Sequence, residues 1–343
     1  MATAIESGIG TLNYGRQTAK GAIATAATTA VGYNRPKWQG GALAPKKQLG
    51  MQEYVDGNRF GSPAVFTDKV AGELGTLTLQ LQGENAGLYS AAVLGVDVVT
   101  GASDPYTHTI TSAGTSGHWA TWWQKVGSAV GPERAVYWDS KISKLVLRHN
   151  FADKILTGEL TIAGLVGGEV YAVDAAKTED QTDPYLHTEA TGAISFDAAV
   201  QSEINEVITE IDTKMQPYYG DDIKPVQLIE GKGEITCTVK TIVTDTSLGQ
   251  YRKAIYNNAA PTTGTQPVKA VYYAAITETL TKSATRTFTQ TLPKVAIDPS
   301  DMQVAPLPEG GPIELSMGGK ALKSGATPAL TIVALSADAT TYA

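Results

Sequence analysis

The sequence contains a single cysteine, Cys237, among its 343 residues. One thiol cannot form a disulfide within the chain, which excludes a secreted scaffold held together by disulfides. No stretch approaches the run of about 18 apolar residues that a membrane-spanning helix needs. The first 15 residues lack the basic start and the apolar block of a signal peptide. We therefore expect a protein that is made in the cytoplasm and has no membrane span.

Residue patterns typical of catalysis are also missing. The four histidines, His108, His118, His149 and His187, are scattered, and none forms an HxxxH or HExxH spacing. The sequence has no GxSxG motif, no P-loop and no GxGxxG that follows a strand. These absences predict that the chain is not an enzyme and binds neither a metal nor a cofactor.

The sequence is rich in short runs that alternate apolar and polar residues. Examples are LTLQL at residues 77–81 and KLVLR at residues 144–148. This period of two is typical of half-buried strands. A hydrophobic fraction of 42% is enough for a folded core. We therefore predict a mainly β protein.

Two nine-residue stretches, TGELTIAGL at residues 157–165 and TPALTIVAL at residues 327–335, are nearly the same and begin 170 residues apart. Weaker matches recur in the same order at similar spacing: residues 54–56 with 219–221, Glu73 with Glu234, Tyr89 with Tyr251, and residues 122–126 with 291–295. Matches that recur in order at an interval of almost half the chain predict two copies of one domain.

The domain prediction follows from these matches and from composition. Residues 1–50 are rich in glycine, alanine and threonine and predict an extended arm with no core of its own. Residues 51–172 form the first β domain, residues 173–190 a polar linker, and residues 191–343 the second β domain. In each domain a short helix follows a strand that begins at Glu73 or Glu234.

The net charge of −7 is unevenly distributed. The first 50 residues carry six basic side chains against one acidic one. The six are Arg16, Lys20, Arg35, Lys37, Lys46 and Lys47. A basic arm can bind nucleic acid or an acidic surface of a neighbouring subunit, and the acidity of the whole chain favours the second interpretation.

Acidic residues cluster in SEINEVITEIDTKM, which contains Glu203, Glu206, Glu210 and Asp212. In a strand, the last three would share one face. Such a row is either a solvated surface, a face kept negative for a functional reason, or an acid pair of the glycosidase type. The sequence leaves these alternatives open.

Aromatic residues are densest between Trp119 and Trp138. This group could stack on sugar rings, but in a β domain with few other aromatics a core or subunit-interface role is favoured. The group comprises Trp119, Trp122, Trp123, Tyr137 and Trp138.

Two segments have the same order of parts: ELGTLTLQLQGENAGLYSAAVLG, and EITCTVKTIVTDTSLGQYRKAIYN followed by TFTQTLPKV. Over about residues 50–335 this order resembles the major tail tube proteins of bacteriophages with long, non-contractile tails. The resemblance implies two tandem β-sandwich or barrel domains, each flanked by a short helix. It also implies rings that stack into a hollow tube for DNA passage.

The resemblance carries further expectations. A duplicated chain would form a ring from three copies, although a ring of six is an alternative. The acidic residues Asp153, Glu159, Glu203, Glu206, Glu210 and Asp212 would face the channel and make its lining negative, so that it repels the phosphates of DNA. The basic arm would contact an adjacent ring or subunit. DNA would pass without specific binding. Implied partners are the tape measure protein and the tail terminator or tip proteins, in a virion tail assembled in the host cytoplasm.

A tandem β-sandwich that binds glycans through its tryptophans, on a virion or a cell surface, is the competing prediction. It predicts a stable monomer and a change in tryptophan fluorescence on addition of sugar.

Overall fold

The computed structural model describes most of the chain, with gaps. The described residues are 10–24, 33–34, 36–44, 47–52, 64–70, 72–81, 83–112, 117–126, 133–150, 154–165, 183–186, 189, 194–197, 199–200, 204–298, 304–305 and 313–342. We use "first half" for described residues up to 165 and "second half" for those from 194 onward.

The first half contains eleven described strands and one helix. They are β1 (Gly10–Arg16), β2 (Tyr33–Asn34), β3 (Lys37–Gly41), β4 (Lys47–Gln52), β5 (Ala64–Val70), β6 (Glu73–Gln80), α1 (Gly83–Leu94), β7 (Gly95–Thr100), β8 (Tyr106–Ser112), β9 (Ala120–Val126), β10 (Glu133–Asn150) and β11 (Leu156–Gly164). This content is mainly β, as the alternating pattern predicts.

The second half also contains eleven described strands and one helix. They are β12 (Ile194–Phe196), β13 (Ala199–Val200), β14 (Ile204–Asp212), β15 (Gln216–Tyr218), β16 (Gln227–Ile229), β17 (Glu234–Ile242), α2 (Asp245–Tyr256), β18 (Tyr272–Ser283), β19 (Arg286–Ile297), β20 (Val304–Ala305), β21 (Glu314–Ala321) and β22 (Thr331–Ser336). All pairings among the described strands are antiparallel.

The two halves share one order of strand pairing. In the first half, neighbouring strands run β1–β9–β10–β11–β6–β3. In the second half they run β12–β18–β19–β21–β17–β14. The order along the chain is also the same, and a 12-residue helix follows β6 in one half and β17 in the other. Each strand of one series therefore has an equivalent in the other.

An irregularity at the same place fixes the equivalence residue by residue. The β9–β10 register shifts between Tyr137 and Ser140, and the β18–β19 register shifts between Leu292 and Val295. A bulge of this kind bends a strand and is a specific local feature. Just beyond each bulged pair, the Leu165 amide donates to the Asp139 carbonyl at 3.1 Å and the Leu322 amide donates to the Lys294 carbonyl at 2.7 Å.

A two-stranded hairpin is inserted at the same point of each half. The β4–β5 hairpin lies between β3 and β6, and the β15–β16 hairpin lies between β14 and β17. The β6 and β17 strands that follow both begin with glutamate after glycine, at Gly72-Glu73 and Gly233-Glu234.

The pairing order differs from the residue matches in the sequence. TGELTIAGL lies in β11 and TPALTIVAL ends in β22, but the strand equivalent to β11 is β21. Likewise β9 is equivalent to β18, whereas the sequence match joins it to β19. Half-buried strands share one alternating pattern, so sequence similarity between two strands does not show that they have equivalent neighbours in the sheet.

The halves are joined by a shared sheet and a shared core. Residues 144–150 of β10 pair with β14, and β8 pairs with β22. One continuous hydrophobic cluster contains residues of both halves, including Leu145, Val207 and Ile332. Helix α1 is buried throughout residues 85–94 and packs against β22, β10, β8 and β19, as an apolar helix must.

Helix α2 differs from α1 because it lies at the periphery. A capping box between Thr244 and Ser247 begins it, and Asn257 ends it at φ 52°. Among its residues Ser247, Gln250 and Ala254 are buried. The two helices thus occupy equivalent places in the chain but have different surroundings.

The described part of residues 1–50 differs from the predicted arm. Strand β1 pairs along β9, and its Leu12 and Tyr14 are buried in the main core. The reason is a short apolar alternation within a stretch that is otherwise poor in large side chains. Part of the predicted linker is also packed: Tyr185 is buried, and its carbonyl accepts from the Leu156 amide at 2.8 Å.

Candidate functional site

A continuous sheet runs through both halves in the order β3–β6–β11–β10–β14–β17–β21. Residues paired directly across strands point to the same side of a sheet. On one side the register aligns mostly polar residues, which we call the polar face. From β6 to β17 it comprises Thr76, Thr78, Thr157, Glu159, Thr161, Lys144, Val146, Arg148, Glu206, Ile208, Glu210, Asp212, Glu234, Thr236, Thr238 and Lys240.

The opposite side of the same sheet is the hydrophobic core. Leu145 and Leu147 of β10, Leu160 of β11 and Val207 of β14 are all buried there. Apolar burial on one side therefore fixes the register, because a slip of one residue would exchange the two faces. The core thereby determines which side chains form the polar face.

Carboxylates and cations alternate across this face. Arg148 Nε lies 2.5 Å from Glu206 Oε1, and Lys240 contacts the other oxygen of Glu206. Lys144 and Glu210 are 2.9 Å apart. At the ends of the strands, Lys214 lies 2.7 Å from Asp212, and Lys320 lies 2.7 Å from Glu234. The polar face therefore carries paired charges of both signs.

The partners of these carboxylates shift their pKa values. Burial by itself raises the pKa of Glu206, but hydrogen bonds from Lys240 and Arg148 outweigh burial, so the pKa lies below its usual value. Burial likewise raises the pKa of Asp212, and the hydrogen bonds from Lys214 outweigh it. Both groups are consequently held as carboxylates.

Threonines occupy much of the remaining surface of the polar face. Thr78, Thr157 and Glu159 line a groove of about 440 Å³ together with Arg148, Val146 and Ile208. Thr76 and Thr161 are hydrogen-bonded across β6 and β11 at 3.4 Å. The surface thus combines neutral hydroxyls with paired charges.

Four of the six acidic residues predicted to face a channel lie together on this face. They are Glu159, which is exposed, and Glu206, Glu210 and Asp212, which pair with cations. Asp153 and Glu203 lie outside the described residues. Sequence reasoning missed the cations Lys144, Arg148 and Lys240. Their alternation in KLVLR and TCTVK was visible, but which acid each would meet depends on the register between strands.

The predicted basic arm is only partly described. Arg16 donates to the Thr341 carbonyl at 3.1 Å, and Lys20 donates to the Val226 carbonyl at 2.9 Å, so both bind within the chain. Lys37 lies in β3 and Lys47 in β4. Arg35 and Lys46 lie outside the described residues.

The tryptophans contribute mainly to packing. Trp122 is fully buried against Tyr14, with ring centroids 4.8 Å apart. Trp123 is buried in a small cluster that Trp138 contacts. Trp119 packs beside Leu165, and the Lys141 ammonium lies 5.0 Å from its ring centroid. These surroundings correspond to core rather than to an open aromatic platform.

Two histidines are buried beside carboxylates. His149 Nδ1 lies 2.7 Å from Glu278 Oε1, linking β10 to β18, and His108 Nδ1 lies 2.8 Å from Asp97 Oδ2. Among the described residues, no group of three or more potential metal ligands is found. In that same part of the chain, neither helix has the length and apolarity to cross a membrane.

Comparison of the sequence with protein-family models and with curated proteins finds no match.

Proposed function

We propose that the chain is a structural subunit of a bacteriophage tail tube, in which rings of this protein stack into a hollow conduit for DNA. The observation that carries the proposal is the polar face. It extends without interruption from the first half to the second through the β10–β14 pairing. A face of this kind suits the inner wall of a ring in which successive domains join edge to edge.

The shared pairing order supports a tandem duplication of one tube domain. In such a chain the β10–β14 pairing is the junction between two equivalent domains. The same junction, repeated between chains, would generate a ring. A head-to-tail contact forms a closed ring when a whole number of its rotations makes a full turn. Three chains would then supply six domains.

The ends of the described sheet are compatible with this repetition. Strand β3 is equivalent to β14, and β6 is the only described strand that pairs with β3. Exposed strand edges tend to pair with other chains, and a closed ring removes them. The second half would provide the partner strand from the preceding chain.

The charges of the polar face suit passage of a polyanion. Lysine and arginine that contact phosphates hold DNA through counterion release. On this face Arg148, Lys144 and Lys240 are each occupied by a carboxylate, so they are poor phosphate ligands. We propose that DNA slides past this surface without specific binding.

The remaining parts of the proposal follow from this role. The protein would act without catalysis, reside in the virion tail after assembly in the host cytoplasm, and contact the tape measure protein and the terminator or tip proteins. The basic residues of the N-terminal segment that lie outside the described ranges would contact a neighbouring subunit or ring.

Electron microscopy of the purified full chain tests the proposal. We expect hollow rings or tubes with threefold or sixfold symmetry in axial views at high protein concentration. A population that stays monomeric at all concentrations, with tryptophan fluorescence that changes on addition of sugars, would contradict the tube and support a glycan-binding module.

A further inference from the structure

An open cavity of about 610 Å³ lies where the start of β17 meets the end of β21, and Val93, Leu94 and Ser112 of the first half also line it. Its wall includes Gly233 and Glu234 on one side and Lys320, Leu322 and Lys323 on the other. In the first half, the equivalent residues surround a site that is filled.

The filled site holds the β15–β16 hairpin. Pro217 packs on Gly72 so closely that a Cβ added there would lie 2.3 Å from the proline Cβ. The Val70 amide donates to the Ile223 carbonyl at 2.7 Å, and Tyr219 Oη donates to the Val70 carbonyl at 2.7 Å. Leu228 packs in one buried cluster with Ala163 and Leu165.

The two sites lie at the same place in equivalent strands, at the start of β6 or β17 and the end of β11 or β21. Gly72 and Gly233 each precede the glutamate that begins the equivalent strands β6 and β17. Leu165 and Leu322 each donate a backbone hydrogen bond into the bulge of the equivalent strands β10 and β19. Gly72 and Leu165 contact the hairpin, whereas Gly233 and Leu322 line the cavity.

The hairpin that fills the first site is the insertion of the following half. The insertion equivalent to the β15–β16 hairpin is the β4–β5 hairpin, which belongs to the first half. We infer that the cavity is a socket for the β4–β5 hairpin of a second copy of this chain. This inference rests on the proposed ring assembly and assigns its contact surface.

Two large side chains near the socket are less buried than their equivalents at the filled site. Tyr273 and Trp119 are equivalent, because each precedes the alanine beside the bulge, Ala274 or Ala120. Tyr273 is 43% exposed, whereas Trp119 packs against the cluster that contains Leu228. Leu322 is half-buried, whereas its equivalent Leu165 is buried. Both residues would be covered if the hairpin of the next copy occupied the socket.

Cysteine cross-linking in the full chain tests the inference. Leu228 precedes Glu234 by six residues; Thr67 precedes Glu73 by six and Phe66 by seven. Neighbouring strand residues point to opposite sides. Only one of the two neighbouring positions should therefore point into the socket. Two double variants test this: Phe66→Cys with Leu322→Cys, and Thr67→Cys with Leu322→Cys. Lys323→Cys, at an exposed position of the same wall, replaces Leu322→Cys if that variant fails to fold.

A short bis-maleimide is then added under conditions of assembly. We expect one of the two positions to give covalent dimers and closed trimers on a denaturing gel, and the other at least fivefold less. Leu228→Cys with Leu165→Cys is the matched control; both positions are buried within one chain, so this pair should give no covalent dimers or trimers. Cys237 is fully buried and can be retained.

The outcomes separate this inference from the proposed function. Rings or tubes that form without cross-linking at either position overturn the socket while the tube stands. Cross-linked oligomers that never form rings support the socket and overturn the tube. Chains that neither assemble nor cross-link overturn both.

Discussion

The filled site around Gly72 and the open site around Gly233 are built from equivalent strands, yet only one is occupied. Both sites share the bulge of β10 or β19 and the hydrogen bond beside it, so these features do not explain the difference. The difference in occupancy follows from position in the chain, because the β15–β16 hairpin that fills the first site belongs to the second half. If the chain is a tandem duplication, as we propose, it carries one interface inside itself and would offer the other to a neighbour.

The chemistry of the two sites also differs. Ala163 of the filled site is buried, whereas Lys320, the residue at its place, pairs with Glu234 at 2.7 Å in the open site. An interface formed once during folding can be wholly apolar. One that stays exposed until assembly needs charged groups to limit non-specific association. The comparison therefore predicts different responses to the same substitution.

The largest difference should come from truncating the leucines. Leu228→Ala removes a buried side chain from the filled site and should lower the free energy of unfolding by about 2–4 kcal/mol. Leu322→Ala, in the open site, should lower it by about 1 kcal/mol or less. Urea denaturation of the unassembled chain measures both.

Equal losses for the two leucine variants would show that the open site is already packed in the single chain. The leucine variant of the open site should instead raise the protein concentration needed for ring formation, which light scattering would detect. No change in that concentration would count against a role for Leu322 in association.

The glycines give a smaller effect of the same sign. A Cβ at position 72 would meet the Pro217 ring at 2.3 Å, so Gly72→Ala should cost about 1–3 kcal/mol of stability. At position 233 the nearest atom is the Asp212 carbonyl oxygen at 3.3 Å. Gly233→Ala should therefore change stability by about 0.5 kcal/mol or less. Thermal unfolding of the pair distinguishes the two sites.

The smallest effect concerns two carboxylates of the polar face, Glu206 away from both sites and Glu234 at the open site. Glu206 has a lowered pKa in the folded chain, so it adds stability above its unfolded pKa and loses it as the pH falls through the folded value. The wild type should lose more stability than Glu206→Gln between about pH 5 and pH 3. Denaturant titrations at several pH values in that range measure the difference.

Glu234→Gln is the control at the open site. The Glu234 side chain is 33% exposed, and that of Glu206 is 7% exposed. A more exposed pair contributes little, so Glu234→Gln should leave the stability at neutral pH close to that of the wild type. If the two substitutions reduced acid sensitivity equally, burial would not be what distinguishes the carboxylates.

Much of the local structure could be predicted from residue patterns. The alternating run at residues 144–148 lies in β10 as predicted, and β14 places Glu206, Glu210 and Asp212 on one face with Val207 and Ile211 buried on the other. Both results depend on the alternation of side chains within a single strand. The mainly β fold follows from the same signal.

Relations between strands could not be predicted in the same way. The match of TGELTIAGL to TPALTIVAL joins β11 to β22, although β21 has the equivalent neighbours. The pairing of Glu206 with Arg148 and Lys240 depends on registers set by distant core residues. Tyr14 and Leu12 were assigned to an arm because their burial depends on β9, more than 100 residues later.

The number of chains in the assembled ring tests the account most directly. If both halves offer equivalent interfaces, native mass spectrometry of isolated rings should give three copies of the 36.0 kDa chain. Rings of six copies would contradict the account, because each chain would then fill only one place in the ring and its two sites could not be equivalent.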